Sequence, residues 1–232
     1  MRITPAPPEN SLLASLPRTE SRLLCSKMDP VHLEYGEVLY ETGSTIRYVY
    51  FPSDSLVSLL TLVDEHQALE VGLVGREGLV GLPLALDTAT SPIRALVQGS
   101  GSAMRMPAAA FLRALKKSNA LQRSLRLYTA DLMAQITQTA ACNRFHVVEA
   151  RLARWLLMTH DRLRVNPFHL TQEFLSHMLG VRRVGVTRAA SALQRQKLIS
   201  YTRGSITILD RKGLEGAACS CYRIVRDMRA PA

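Results

Sequence analysis

Apolar and polar positions follow three different rhythms along this chain. From about Val31 to Met106, runs rich in β-branched and aromatic residues, such as "RYVYFPSDSLVSLLTLV" and "ALEVGLV", are cut by glycines at 36, 43, 72, 75, 78, 81, 99 and 101. Short apolar strands punctuated at this spacing predict an all-β sandwich or barrel. Before them, "NSLLASL" and "ESRLLCSKM" carry small apolar faces that suit short helices. After Ser102 glycine disappears until Gly180, and apolar residues recur in steps of four and three at Leu121, Leu125, Tyr128, Leu132 and Ile136. That is the pattern of a helix with a seam. Spacing alone leaves two covers open for this seam, the same helix of a second chain or the β domain. A second helix is predicted over Val147–Arg164, with Leu152, Trp155, Leu156 and Leu163 near one face, ending before Asn166-Pro167.

The third rhythm lies in "LTQEFLSHMLGVRRVGVTRAASALQRQKLIS". Thr171 is placed to cap a helix beginning at Gln172, with Glu173 favourable in its positive first turn. Phe174, Leu175, Met178 and Leu179 supply an apolar side, and Gly180 permits a turn where a side chain would oppose a positive φ. The chain restarts as a helix near Arg182, with Val186, Ala189, Ala190 and Leu193 facing inward and small alanines allowing close approach. Two helices of this size about a short glycine turn predict a helix-turn-helix. Arg182, Arg183, Thr187 and Arg188 then face outward at the start of the second helix, where an arginine can donate two parallel hydrogen bonds to a guanine edge. The runs on either side of Arg203-Gly204 predict a hairpin, a wing whose tip brings Arg203 within reach of a phosphate.

Charge sharpens this division. Up to Arg144 there are 14 Lys+Arg against 13 Asp+Glu; beyond it there are 15 against 6, so the formal +10 divides into +1 and +9. A basic excess confined to the last part points to a polyanion-binding domain joined to a neutral one. With 47% hydrophobic and 21% charged residues the chain reads as globular. It has no apolar run long enough to span a bilayer and no signal-like start, so the expected location is the cytoplasm, without membrane contact. Cys25, Cys142, Cys219 and Cys221 read as free thiols in a reducing compartment. One Cys-x-Cys without nearby histidines is a poor zinc signal, and no metal site is expected.

On the residues from Thr171 to Ser200 the chain resembles the Crp/Fnr family of bacterial transcription regulators, and the likeness extends over its length. The resemblance implies an α+β architecture: an amino-terminal cyclic-nucleotide-binding-like β-roll over residues 1–117, a long dimerisation helix over 118–144, and a carboxy-terminal winged helix-turn-helix over 145–232. It implies a homodimer paired through Leu121, Leu125, Tyr128, Leu132 and Ile136, and double-stranded DNA bound at two twofold-related half-sites. RNA polymerase is a further implied partner. Arg183 and Arg188 fall where the family reads bases, while Thr171, Gln172 and Arg182 lie near phosphate contacts. Val184 stands where many members carry a glutamate; valine accepts no hydrogen bond but can touch a thymine methyl.

The effector half matches less well. Family nucleotide pockets combine a Gly-Glu turn with an Arg-Ser-Ala segment. Here "VGREGLVGLP" keeps Glu77 and Gly78 loosely, while Arg94 in "SPIRALVQ" is followed by Ala95 and displaced by one position, which on a strand turns the side chain to the other face. Ordinary loop and strand-end charges are the favoured reading of Glu77 and Arg94, and the cofactor is left unknown. Only Cys25 lies near the amino terminus, unlike the family's iron–sulfur arrangement, and His32, His66 and His146 give no clear heme ligand. No Gly-x-Ser-x-Gly, His-Glu-x-x-His, phosphate-loop or carboxylate constellation marks an enzyme. The alternative is an interaction module that does not bind DNA specifically, which leaves the +9 excess without a use.

Overall fold

The computed structural model describes residues 10–63, 68–163, 166–202 and 204–228. His66 and Arg203 lie outside the described residues. The chain resolves into two compact units, residues 1–59 with 73–130, and residues 60–72 with 131–232.

The first unit opens with α1 (Ser11–Ala14) and α2 (Arg18–Cys25). Asn10 caps α1 by accepting from the Leu13 amide at 3.2 Å, and its Nδ2 donates to the carbonyls of Pro52 and Gly78, both at 2.9 Å. One buried side chain thereby ties the first helix to two strand ends. The strands follow: β1 (Asp29–Leu33), β2 (Val38–Tyr40), β3 (Tyr48–Pro52), β4 (Leu56–Leu62), β5 (Ala68–Val74), β6 (Arg94–Gly99) and β7 (Gly101–Pro107). They form a three-stranded sheet in the order β1-β7-β3 and a four-stranded sheet in the order β2-β6-β4-β5. The β1–β7 and β3–β7 pairs are antiparallel, with Val31 opposite Ala103 and Phe51 opposite Met104. Phe51, Val57 and Val97 on these sheets and Phe111 on the following helix α3 (Ala108–Lys117) are fully buried. Of the glycines that punctuate this region, Gly36, Gly43 and Gly81 take positive φ at turns between strands, whereas Gly72, Gly99 and Gly101 lie within β5, β6 and β7.

Helix α4 runs for 27 residues, Asn119–Phe145. Its seam is real, but the cover differs from the one the family resemblance implied. Leu121, Leu125, Tyr128 and Leu132 are buried within the single chain, and Ile136 is half-buried. Apolar surface already removed from water gains little from a second copy, so this stripe holds α4 to its own chain. The large apolar side chains of α4 that meet solvent are Leu127, Met133 and Phe145, 61%, 64% and 77% exposed.

In the second unit, α5 (Val148–Leu163) buries Leu152, Trp155, Leu156 and Leu157 and packs against the helices that follow it. These are α6 (Gln172–Leu179), α7 (Arg183–Arg195), α8 (Arg211–Ala217) and α9 (Cys221–Asp227). Strands β8 (Phe168–His169), β9 (Ile199–Thr202) and β10 (Ser205–Ile208) make an antiparallel sheet in the order β8-β10-β9, the wing expected about Gly204. Residues 60–72 supply two contacts here. The indole Nε1 of Trp155 donates to the buried carboxylate of Glu70 at 2.8 Å, and Leu69 packs on Gly180. No described helix is long and apolar enough to cross a membrane.

Candidate nucleic-acid interface

Each part of the reading motif is held by a local device. The Thr171 hydroxyl accepts from the Phe174 amide at 3.1 Å and caps α6, as its position before Gln172 predicts. Gly180 ends α6 at φ +60°, and the amides of Gly180 and Val181 return to the carbonyls of His177 and Ser176 at 3.2 and 3.0 Å. That left-handed closure is the glycine's use here. A Cβ at this position would also stand 2.7 Å from the Leu69 Cδ1. Arg182 is extended, and its carbonyl receives the Gly185 amide at 2.8 Å to start α7.

The faces of α7 follow from its period of about 100° per residue. Val186, Ala189, Ala190 and Leu193 are buried and span an arc of about 100°. Arg183, Thr187, Val184 and Arg188 are exposed and span about 140° on the opposite side. Thr187 and Val184 sit in the middle of that arc with the two arginines at its margins, and half-buried Ser191 continues it one turn on. The Thr187 hydroxyl is within hydrogen-bonding distance of Gln172 Oε1 (3.1 Å) and the Arg183 carbonyl (3.0 Å). Gln172 is thereby oriented from α6 onto α7, keeping its Nε2 as a donor.

Charge is concentrated on the same arc. Among the described residues, Arg182, Arg183 and Arg188 make no ion pair, and the first turn of α7 has no acidic residue. Their cations add to the positive end of the helix dipole. Arg183 also acts on Tyr201 of β9: burial pushes this phenol up, and the guanidinium charge opposes the shift. The Tyr201 hydroxyl donates to the Leu170 carbonyl at 3.0 Å, fixing the wing's first strand beside the cap of α6. The structure therefore brings together Thr171, Gln172, Arg182, Arg183, Val184, Thr187 and Arg188, with Val184 55% exposed.

The effector positions in the first unit are engaged within the chain. Arg94 Nε donates to Glu41 Oε2 at 2.7 Å in a partly exposed ion pair. Glu77 accepts from the Gly75 amide at 3.3 Å. Gly78 is buried against the ring of Tyr128, where any Cβ would collide, and the Tyr128 hydroxyl approaches the Leu79 carbonyl at 3.4 Å. The Cys219-x-Cys221 pair, which has no histidine near it in sequence, meets one in space in the second unit: Cys142, His146, Cys219 and Cys221 offer ligand atoms all within 4.8 Å of one another. The signal was present as Cys142-x-x-x-His146, one helical turn apart, but its completion comes from residues more than 70 positions later.

Residues 150–217 match the Crp-like helix-turn-helix domain. No curated protein sequence matches the chain. Among solved structures, FixK2 from Bradyrhizobium japonicum is 18% identical, with 83% of this chain and 98% of that one covered and a TM-score of 0.70. TTHA1359, a Crp/Fnr-family transcriptional regulator from Thermus thermophilus, is 21% identical, with coverage of 82% and 98% and a TM-score of 0.67. The c-di-GMP-responsive global regulator CLP of Xanthomonas campestris is 13% identical, with coverage of 82% and 98% and a TM-score of 0.67.

Proposed function

From a Crp-like helix-turn-helix domain carried on a chain of Crp/Fnr fold, we propose that this protein is a sequence-specific, DNA-binding transcription regulator that acts in the cytoplasm as a homodimer on a twofold-related operator. The observation that carries the reading is the exposed arc of α7, where Arg183 and Arg188 flank Thr187 and Val184 and no acidic partner neutralises them among the described residues. Major-groove readout needs donors presented from the first turns of an inserted helix. Arg183 and Arg188 supply guanine-directed donors, Val184 an apolar surface for a thymine methyl, and Arg182, Thr171 and Gln172 the phosphate contacts.

For dimerisation we favour the outward face of α4. Leu127, Ala130, Ala134, Thr137 and Ala141 repeat in steps of three and four on the side opposite the buried seam, all exposed or half-exposed. Small residues at such spacing let two helices approach closely while Leu127 supplies apolar area. The β domain then serves as the regulatory body that biases the DNA-reading arrangement. Arg94 bound to Glu41 and Gly78 closed by Tyr128 speak against a nucleotide phosphate held at these positions.

The test is selection of bound fragments from a random DNA pool with purified protein, repeated at two salt concentrations. The reading expects a palindromic motif with half-sites about one helical turn apart. Motif-free binding that vanishes with salt would instead support an interaction module with a basic surface.

A further inference from the structure

We propose that Cys142, His146, Cys219 and Cys221 form a mononuclear zinc site of the closed, four-ligand kind, within the unit that carries the DNA-reading motif. The argument begins with the chain path. Cys142 and His146 are one turn apart at the end of α4, where the His146 amide returns to the Cys142 carbonyl at 3.1 Å. This puts both ligand atoms on one face. Cys219 lies in the link between α8 and α9 and Cys221 is the first residue of α9, with Ser220 between them, and a Cys-x-Cys pair of this kind turns both sulfurs to one side when the chain bends between them. The bend is present: the Tyr222 amide bonds the Cys219 carbonyl at 3.0 Å.

Distances select the ion. The Cys142 and Cys219 sulfurs are 3.5 Å apart, as are the Cys221 Sγ and His146 Nδ1. Zinc bonds of ~2.3 Å to sulfur and ~2.0–2.1 Å to nitrogen give tetrahedral edges of roughly 3.8 Å between sulfurs and 3.6 Å between sulfur and nitrogen. Two of the six edges already have that size, and all four ligand atoms lie within 4.8 Å of one another. An iron–sulfur cluster spreads its outer ligands over more than one iron, so that ligands on different irons stand well apart, whereas here all four are this close together, which favours one ion. Three thiolates and an imidazole match the soft, tetrahedral preference of zinc, and four protein donors leave no open position.

The surroundings complete the case. Cys142 and Cys221 are fully buried and Cys219 nearly so. Gln138 Nε2 donates to the Cys221 sulfur at 3.0 Å, and the Cys221 amide bonds the Cys219 sulfur. Donors of this type orient sulfur ligands and temper their charge. Three thiolates around a divalent ion leave one net negative charge, which a dry interior tolerates only beside a cation. Arg151 and Arg154 are buried, and their charges act on Cys142, with Arg151 also acting on Cys219.

The experiment uses the full chain without a histidine tag, reduced, stripped of metal and titrated anaerobically with Co2+. One Co2+ per chain is expected, with the strong visible bands of a tetrahedral ion and sulfur-to-cobalt charge transfer, displaced by one equivalent of Zn2+. Cys142→Ser or Cys219→Ser should abolish the charge transfer or cut it by at least a third. His146→Gln, at a half-buried position tolerant of change, should weaken binding at least tenfold while circular dichroism stays unaltered. Cys25→Ser should change nothing. Weak octahedral spectra, binding unaffected by these variants, or a Cys142–Cys219 disulfide that persists in place of metal binding under reducing conditions would each overturn the assignment.

Discussion

Replacing Arg183 and Arg188 together by alanine tests the DNA-reading arc most directly. The two positions are five residues apart, about 7.5 Å along α7 at ~1.5 Å per residue. That equals roughly two base-pair steps of ~3.4 Å, so the side chains address different bases of one half-site. A bidentate contact to a guanine edge contributes about 1–3 kcal/mol of discrimination. Two per half-site, in two half-sites, sum to roughly 4–12 kcal/mol, as large as the whole gap of about 4–10 kcal/mol between specific and non-specific binding. The double variant should therefore bind the selected operator no better than random DNA, a loss of at least ~10³-fold. Its residual affinity should keep nearly the wild-type salt dependence, because phosphate contacts through Arg182, Thr171 and Gln172 survive. Fluorescence anisotropy on operator and scrambled duplexes across a salt series would measure both quantities, with circular dichroism confirming the fold. An equal loss on both duplexes, with the salt slope reduced by ~0.9 for each contact removed, would mean that these arginines hold phosphates. Unchanged discrimination would remove α7 as the reading element.

Gly180→Ala should destabilise by about 1–2 kcal/mol from the left-handed backbone, the nearby Leu69 Cδ1 being a side-chain tip that can turn aside, whereas Gly216→Ala, open on every side within α8, should stabilise by up to ~1 kcal/mol; thermal melts of the pair separate the two signs. Trp155→Phe removes the bond to the Glu70 carboxylate and should cost roughly 1.5–3 kcal/mol in urea unfolding; a smaller loss than Trp155→Phe gives in a Glu70→Gln background would contradict that assignment. His160 is held below its ordinary range by burial and then by Arg211, whose Nη1 lies 2.8 Å from its Nδ1. The unfolded state then takes up this proton first, so stability falls as pH drops from the ordinary histidine value near 6.5 toward the lower folded one. His160→Gln should flatten that fall, and an unchanged pH profile of the melting midpoint would refute it. Leu127→Asp, at the exposed face of α4, should shift the chain toward monomer in light scattering, while a dimer that persists would place the interface elsewhere.

Patterns that depend on neighbours in sequence were legible beforehand, and those that depend on distant partners were not. The cap at Thr171, the turn at Gly180, the buried stripe of α7 and the wing hairpin each follow from residues within one or two turns, and the fold reproduces them. The seam of α4 was legible as a stripe, but periodicity reports only that a face is dry. The cover that dries it, a second copy or the chain's own β domain, leaves the same spacing. Glu70 and Trp155 are 85 positions apart, and Cys142 and Cys219 are 77 apart. No local period links such pairs, so Glu70 reads as one charge in an otherwise apolar strand and Cys142 as one thiol on a helix.

Arg151 shows how much depends on those distant contacts. It lies in the first turn of α5, buried, and its Nη2 donates both to Asn143 Oδ1 near the end of α4, at 2.7 Å, and to the Leu179 carbonyl that closes α6 just before the Gly180 turn. Of the last residues of α4, Cys142 lies in the thiol cluster, while its neighbour Asn143 is linked to the end of α6 through Arg151. Both acceptors of Arg151 are neutral, and leaving this buried guanidinium without one of them costs about 1.5–3 kcal/mol, the worth of a hydrogen bond to a charged group. The end of α4, the start of α5 and the glycine turn are therefore hard to displace independently of one another. The closing carbonyls of a helix can be satisfied by water where they are exposed, but here one is satisfied from the junction itself. An event that repositions residues 142–146 must then either carry the turn ahead of α7 with it or break a bond made in a dry interior.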